Sequence, residues 1–455
     1  MRTTVSENER NVFRRNLIHT VIPIAFQQFM LALVSASDAV MLGALQQDYL
    51  SAVSLAVQIQ FMFSLFMTAI TIGTSMLAAQ YWGRGDITAC EKIMAISLRI
   101  AVIVSLPFVM LSIICPQLLM RIFTDNPILI DYGVRYLRTA SLVYFLTAVS
   151  QVYLCILKNS GHTAKASVIS SVTVILNIGL NAVLIFGIGK LQGMQIAGAA
   201  LATVIAKTFE TGWALAESVK PNRLKLRWAY FTHTDRLLQR DFWKYTWPVM
   251  GNEIVWGVGF TMYSVIMGHL GSDAVAANSI ANIAKNLIGC FCGGLANGGS
   301  ILLGNELGRG NLELGKKYGK WLCHAAILCG ILAGTVFLFV TPIVLHFSSL
   351  SDTANGYLKW MLYLCVYYMI GRAVSSTTIA GIFCAGGDSR FGLKCDAVTM
   401  WCVIVPLGFL AAFVWDIPVI GVYFIINLDE LIKMPAIFIH YRKYNWVKNL
   451  TRETK

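Results

Sequence analysis

The sequence predicts an all-α integral membrane protein of twelve transmembrane helices, arranged as two parallel six-helix lobes. Three observations carry this: the composition, the spacing of long apolar runs, and an internal repeat. The chain has 455 residues, 56% hydrophobic and only 13% charged, with a mean hydropathy of +0.64. A soluble domain is typically about 25% charged, so roughly half the usual charge places most of this chain in lipid. The eleven cysteines are scattered, and even the nearest pair, Cys290 and Cys292, lacks framework spacing. They read as small buried hydrophobes rather than disulfides or metal ligands.

Apolar runs of about 20 residues, enough to cross the hydrocarbon core, are taken here in chain order. In the first half they occupy 16–43, 51–81, 93–114, 133–157, 164–187 and 194–217. In the second they occupy 243–269, 274–305, 319–345, 355–384, 391–414 and 418–440. The leader "MRTTVSENERNVFRRNL" enters the first run without a small-residue cleavage site, so no removable signal is expected.

Basic residues fix the orientation. Arg10, Arg14 and Arg15 precede the first run; Arg84 and Lys92 follow the second, Lys158 and Lys165 the fourth. Lys220, Arg223, Lys225, Arg227, Arg236, Arg240 and Lys244 follow the sixth. Arg309, Lys316, Lys317 and Lys320 follow the eighth, Arg390 and Lys394 the tenth, and Arg442, Lys443, Lys448 and Arg452 close the chain. The opposite side carries far fewer: Arg121, Arg135, Arg138, Lys190 and Lys359. The positive-inside rule then puts both termini in the cytoplasm. The formal charge of +13 is a topology signal, not a sign of nucleic-acid binding. The expected organisation is a cytoplasmic segment 1–15, a first lobe 16–217, a cytoplasmic linker 218–242, a second lobe 243–440 and a cytoplasmic tail 441–455.

Residues 23–92 align with 248–317 at an offset of 225 without a gap. Pro23 meets Pro248, Gly73 meets Gly298, Ser75 meets Ser300, and Gly83-Arg84-Gly85 meets Gly308-Arg309-Gly310. About sixteen of some seventy positions are identical, where chance would give roughly five. Six spans per copy make the copies parallel, a plan that transporters use with the substrate path between the bundles.

Against this scaffold the intramembrane charges stand out. Asp38 lies in "SASDAVMLG", inside the first span, where a charge costs several kcal/mol. It aligns with Tyr263, while Glu253 aligns with Gln28 and Lys285 with Gln60. Charges present in only one copy point to function rather than scaffold. Glu253 and Arg372 fall at similar depth in their spans, near the midplane. Two readings follow: a neutralising internal ion pair, or a Glu253 that faces a cavity and binds cationic substrate. Lys285 joins either network, and aromatic residues such as Trp256 could line a cavity for flat cations.

Several stretches resemble the multidrug and toxic compound extrusion (MATE) transporters. "GALQQDYLSAVSLA" with "GTSMLAAQYWGRGD" is similar to their first two helices, and "GHLGSDAVAANSIA" with "GSILLGNELGRGN" to the same motif in the second lobe. "LNIGLNAVLIFGIG", "GAALATVIA" and "GIFCAGGDSRFG" extend the likeness over roughly residues 15–440. The resemblance implies two six-helix lobes forming a V-shaped transporter. Its implied activity is antiport: export of amphipathic, often cationic compounds against inward Na⁺ or H⁺ by alternating access. It also implies that Asp38 is the coupling carboxylate, faced by Asn177 and Asn181, with Thr203 in the same site. The chain departs from the pattern at Asn181, where several members carry aspartate, and at Trp256 and Ala373, where some keep second-lobe acids. One cation site, at Asp38, is then expected, with one-for-one, electroneutral exchange.

No cofactor is expected beyond Na⁺ or H⁺ as coupling ion, and no metal beyond Na⁺ at Asp38. "GNLELGKK" (Gly310 to Lys317) approaches a phosphate loop but has lysine where the Mg²⁺-binding hydroxyl belongs. The partners expected are a small organic substrate and the bilayer, with no nucleic acid and no obligatory protein partner. The localisation expected is the plasma or bacterial inner membrane. A flippase for lipid-linked or glycoconjugate precursors is the alternative within transport. An integral-membrane transferase is the alternative in another class, but no catalytic cluster appears in the loops.

Overall fold

The computed structural model describes residues 2–43, 46–188, 191–221, 223–232, 235–348 and 350–452. Lys190, counted above among the sparse basic residues, lies outside them. Twelve long helical segments follow one another: α1 (Arg2–Gly43), α2 (Gln47–Arg84), α3 (Ile87–Ile114), α4 (Pro127–Asn159), α5 (Thr163–Phe186) and α6 (Gln195–Ser218), then α7 (Arg236–Gly268), α8 (Ser272–Gly308) and α9 (Leu312–Phe347). In α10, Asp352–Ser376 runs on as a π-helix, Thr377–Phe383. In α11, Ser389–Asp396 passes through a π-helix, Ala397–Ile404, into Val405–Phe413. The last segment, α12, is broken into Val419–Ile426, Asp429–Ile432 and Met434–Arg442. The one sheet among the described residues pairs Gly187–Ile188 with Leu191–Gln192 between α5 and α6.

Among the described residues, eight helices are long and apolar enough to cross a membrane. The four that fall short are α6, α7, α10 and α12. These carry Lys207 and Glu210, Glu253, Arg372, and Asp429 with Glu430 and Lys433. In α12 the break into three short pieces is itself a reason for the shortfall. Large apolar side chains along the helices point outward, among them Phe26, Ile103, Phe339 and Trp360, each at least half exposed. Such a surface suits lipid rather than water.

The chain divides into two compact units. One contains residues up to Phe29, 79–85 and Lys244–Lys455; the other contains Met30–Ala78 and Asp86–Trp243. The first unit has two apolar cores. One gathers Ile266, Met267, Leu358, Met361 and Tyr423; the other gathers Phe13, Leu322, Phe383 and Trp446. In the second unit Leu154, Leu157, Ala166 and Ile169 pack together.

The repeated Gly-x-Gly motif has a physical explanation inside the first unit. A Cβ at Gly83 would overlap the Asn305 carbonyl, and one at Gly308 would overlap the Gln80 carbonyl. Gln80 and Asn305 are themselves repeat partners, so the ends of α2 and α8 cross backbone to backbone in a pseudo-symmetric pair. Gly85 and Gly310, at φ +82° and +83°, then turn the chain out in the left-handed region that glycine tolerates. Between α1 and α8, Gly294 and Gly298 admit Ala25 and Val21 at close range. Small residues let membrane helices approach this way. The eleven cysteines are free thiols, and all but Cys402 are buried or partly buried.

Candidate functional site

The second unit assembles four residues that lie far apart in sequence. Asp38 is in the part of α1 that packs with this unit, Asn177 and Asn181 lie one turn apart on α5, and Thr203 is on α6. Asn181 Nδ2 donates to Asp38 Oδ1 at 2.5 Å and to Asn177 Oδ1 at 3.3 Å. Asn177 Nδ2 donates to Thr203 Oγ1 at 3.4 Å, and that hydroxyl donates to the Ala199 carbonyl at 3.0 Å. Both amides are buried, and Asn181 Oδ1 has no hydrogen-bond partner among the described residues. The chain of donors therefore ends on a carboxylate held by one amide and on an acceptor oxygen beside it. An oxygen-rich site of this kind can exchange a proton or a hard monovalent cation.

A second intramembrane acid in this unit was not singled out from the sequence. Glu210 on α6 is 1% exposed, pairs with Lys207 one turn earlier, and accepts from Ser150 and Ser170 at 3.4 and 3.2 Å. The Lys207-x-x-Glu210 spacing was its legible signal. Among the described residues it is paired with a cation, and Asp38 is not.

The first unit contains a cavity of about 270 Å³ whose walls include Gln28, Glu253, Trp256, Arg372, Asp396, Glu430 and Lys433. Gln28 and Glu253, aligned by the repeat, meet on this one surface. Trp256 stacks on Phe260 with ring centroids 5.7 Å apart. Of the two readings for Glu253, the ion pair with Arg372 is not formed among the described residues. Arg372 Nη1 instead donates to the Tyr368 hydroxyl at 3.1 Å, one turn back on its own helix, and Glu253 takes part in none of the ion pairs among the described residues. Similar depth in two helices does not determine which way each side chain points around its axis. Lys285 joins neither residue: its Nζ donates to Asn427 Oδ1 at 3.1 Å and lies over the rings of Tyr368 and Tyr423, at 5.0 and 5.5 Å.

The main ion-pair network of this unit was missed in the sequence. Lys433 Nζ bridges Asp396 Oδ1 at 3.0 Å and Glu430 Oε2 at 3.2 Å, all three buried. Asp429 is equally buried, and its Oδ1 has no hydrogen-bond partner. The signal was "NLDELIKMP" inside the last apolar run, a charged stretch where a continuous span should be apolar. The network sits where α12 breaks and beside the π-helical stretches of α10 and α11. Broken membrane helices expose backbone groups near ion and substrate sites, and π-helical turns concentrate at functional sites.

Known proteins agree with this architecture. The MatE family profile matches residues 23–183 and 248–427, one segment in each copy of the repeat. The uncharacterized transporter YisQ of Bacillus subtilis is 20% identical, covering 94% of this chain and 93% of its own length. The probable multidrug resistance protein NorM of Thermotoga maritima is 22% identical, covering 97% and 95%. Among solved structures, an outward-facing multidrug resistance MATE family transporter of the MOP superfamily superposes with a TM-score of 0.87 at 17% identity, covering 95% and 96%. A MOP superfamily transporter from Pyrococcus furiosus superposes with a TM-score of 0.86 at 17% identity, also covering 95% and 96%.

Proposed function

Given that the chain belongs to the MatE family and is a multi-pass membrane protein, we propose that it is a secondary active antiporter for multidrug efflux. It exports amphipathic, cationic organic compounds and takes in H⁺ or Na⁺ by alternating access. The observation that carries this reading is the Asp38–Asn181–Asn177–Thr203 chain. It is a lone carboxylate inside an apolar helix, bonded only to neutral groups. Among the described residues no cationic side chain is paired to it, so a proton or Na⁺ can neutralise it, and its energy then depends on the side from which the site is reached.

Asp38 is the coupling residue in this scheme. Asn181 holds its carboxylate, and Asn177 and Thr203 fix the amide's orientation. Glu253 and Trp256 receive the organic cation, through charge and through the ring face, while Lys285 and Arg372 complete the charge balance of that unit. No cofactor or partner protein enters. The basic residues flanking the spans put both termini in the cytoplasm. The family match favours transport over the flippase and transferase alternatives.

One titrating site implies one inward cation per cycle. A charge crossing the membrane couples to about 2.3 kcal/mol per 100 mV, so one-for-one exchange with a monovalent organic cation is insensitive to voltage. Purified protein in liposomes, with a fluorescent monovalent dye, imposed Na⁺ or H⁺ gradients and a K⁺/valinomycin clamp, tests both parts. Dye export driven by one gradient and indifferent to potential is expected. Failure of both gradients to drive export would overturn the antiport, and a strong response to potential would overturn the stoichiometry.

A further inference from the structure

We infer that a basic groove between α1 and α9 binds the headgroup of an anionic phospholipid. The groove, of about 530 Å³, is lined by Arg10, Phe13, Arg14 and Leu17 of α1 and by Lys320, Trp321, His324, Ala325 and Leu328 of α9. On each helix these positions fall on one face, at spacings of three, four and seven or eight residues. The two helices start at the same end, because Lys317 pairs with Glu9 at 2.7 Å and Phe13 packs on Tyr318 and Trp321, at 4.7 and 5.2 Å. Their chemistry therefore changes in step with depth. Arg10, Arg14, Lys320 and His324 stand at the mouth, and Leu17, Ala325 and Leu328 lie further in.

Charge complementarity identifies the occupant. The described lining contains no carboxylate, and Glu9, next to Arg10 in sequence, is taken by Lys317. Arg10, Arg14 and Lys320 are exposed and enter none of the ion pairs formed by the described residues. The Nδ1 of His324 is held by the Lys320 carbonyl at 2.7 Å, which leaves Nε2 for an outside group. Three unpaired cations above an apolar trough, with a tryptophan at the boundary, match a phosphodiester carrying an acyl chain. Basic pockets between membrane helices on the cytoplasmic side recognise such headgroups, and tryptophan is enriched at that depth. The acyl chain lies along Leu17 and Leu328. The site is distinct from the Asp38 chain and from the Glu253 cavity, and it rests on the proposed topology, with this end of α1 and α9 in the cytoplasm.

Native mass spectrometry of the full chain with mixed phosphatidylglycerol and phosphatidylcholine tests it. Each basic side chain near the membrane surface contributes about a fivefold preference, or about 1 kcal/mol. The wild type should retain phosphatidylglycerol selectively, and Arg10→Gln, Arg14→Gln and Lys320→Gln should each lower that preference, with Lys320→Arg restoring it. Arg390→Gln with Lys394→Gln, exposed basic residues outside the groove, should leave it unchanged. Equal retention of the two lipids by the wild type would overturn the site. So would an equal loss in the Arg390/Lys394 control, which would reveal general surface charge, or competition by chain-free glycerophosphoglycerol at the same concentration. Should the Arg variants fold poorly, Lys320→Gln against Lys320→Arg in a lipid-dependent thermal shift decides alone.

Discussion

Asp38 and Tyr263 occupy the same position in the two copies of the repeat, and they meet different surroundings. Asp38 is bonded to Asn181 at the head of a chain of neutral donors. Tyr263 packs against the core that holds Ile266 and Tyr423, and its buried hydroxyl has no hydrogen-bond partner. The second copy has moved its charges elsewhere, to Glu253, Lys285 and Arg372 and to the Asp396–Glu430–Lys433 network. A lone charge among neutral groups can be neutralised by a passing cation. Charges already bridged by a lysine are held in place. The comparison separates a site suited to exchange from a network suited to shape and binding.

The strongest way to break the comparison is Asp38→Asn. It should reduce gradient-driven export to background while the protein stays folded and dye binding remains detectable. Normal export by this variant in liposomes would remove Asp38 from coupling. Next comes Lys433→Met, which leaves Asp396 and Glu430 buried without their bridge. A loss of about 3–5 kcal/mol is expected, read as a large fall in the thermal midpoint in detergent. A loss below about 1 kcal/mol would mean that the network does not hold the broken helix together.

Finer tests follow from the unformed ion pair. Glu253→Gln and Arg372→Gln should add in a double-mutant cycle to within about 0.5 kcal/mol. A coupling of 2 kcal/mol or more, on the order seen for close charged partners, would restore the pair. Tyr263→Phe removes a hydroxyl that bonds to nothing, so stability should change by less than about 0.5 kcal/mol with export intact.

The smallest effect is expected outside both sites. Asp235, in the linker, pairs with Lys92 at 3.1 Å and accepts from the Leu237 and Leu238 amides. Partial burial opposes ionisation, but the Leu238 amide and Lys92 outweigh it and hold the carboxyl below its usual range. Its folded pKa is depressed, so its stabilisation is present above about pH 4 and is lost as pH falls through the folded value. Asp235→Asn should cost a few tenths of a kcal/mol at neutral pH and flatten the acid limb of a stability-versus-pH curve. An unchanged acid limb would show the contact to be inert.

Much of this protein was legible before any coordinates. Apolar run length marked the twelve helical segments, because a helix must be long enough to cross the hydrocarbon. The offset of 225 exposed the repeat, and the glycines it aligned are those whose backbones meet at the crossing of α2 and α8. Asp38, Asn177, Asn181 and Thr203 could be grouped from the sequence because motif resemblance fixed their helices, and a one-turn spacing put both amides on one face. What only the tertiary structure decided is the pairing of charges in α7–α12. Depth along a helix follows from counting residues, but direction around it depends on local geometry. The π-helical stretches at Thr377–Phe383 and Ala397–Ile404 and the breaks in α12 reset that direction. Lys433, just past one of these breaks, became the bridge, while Arg372 turned to Tyr368 one turn back on its own helix rather than to Glu253.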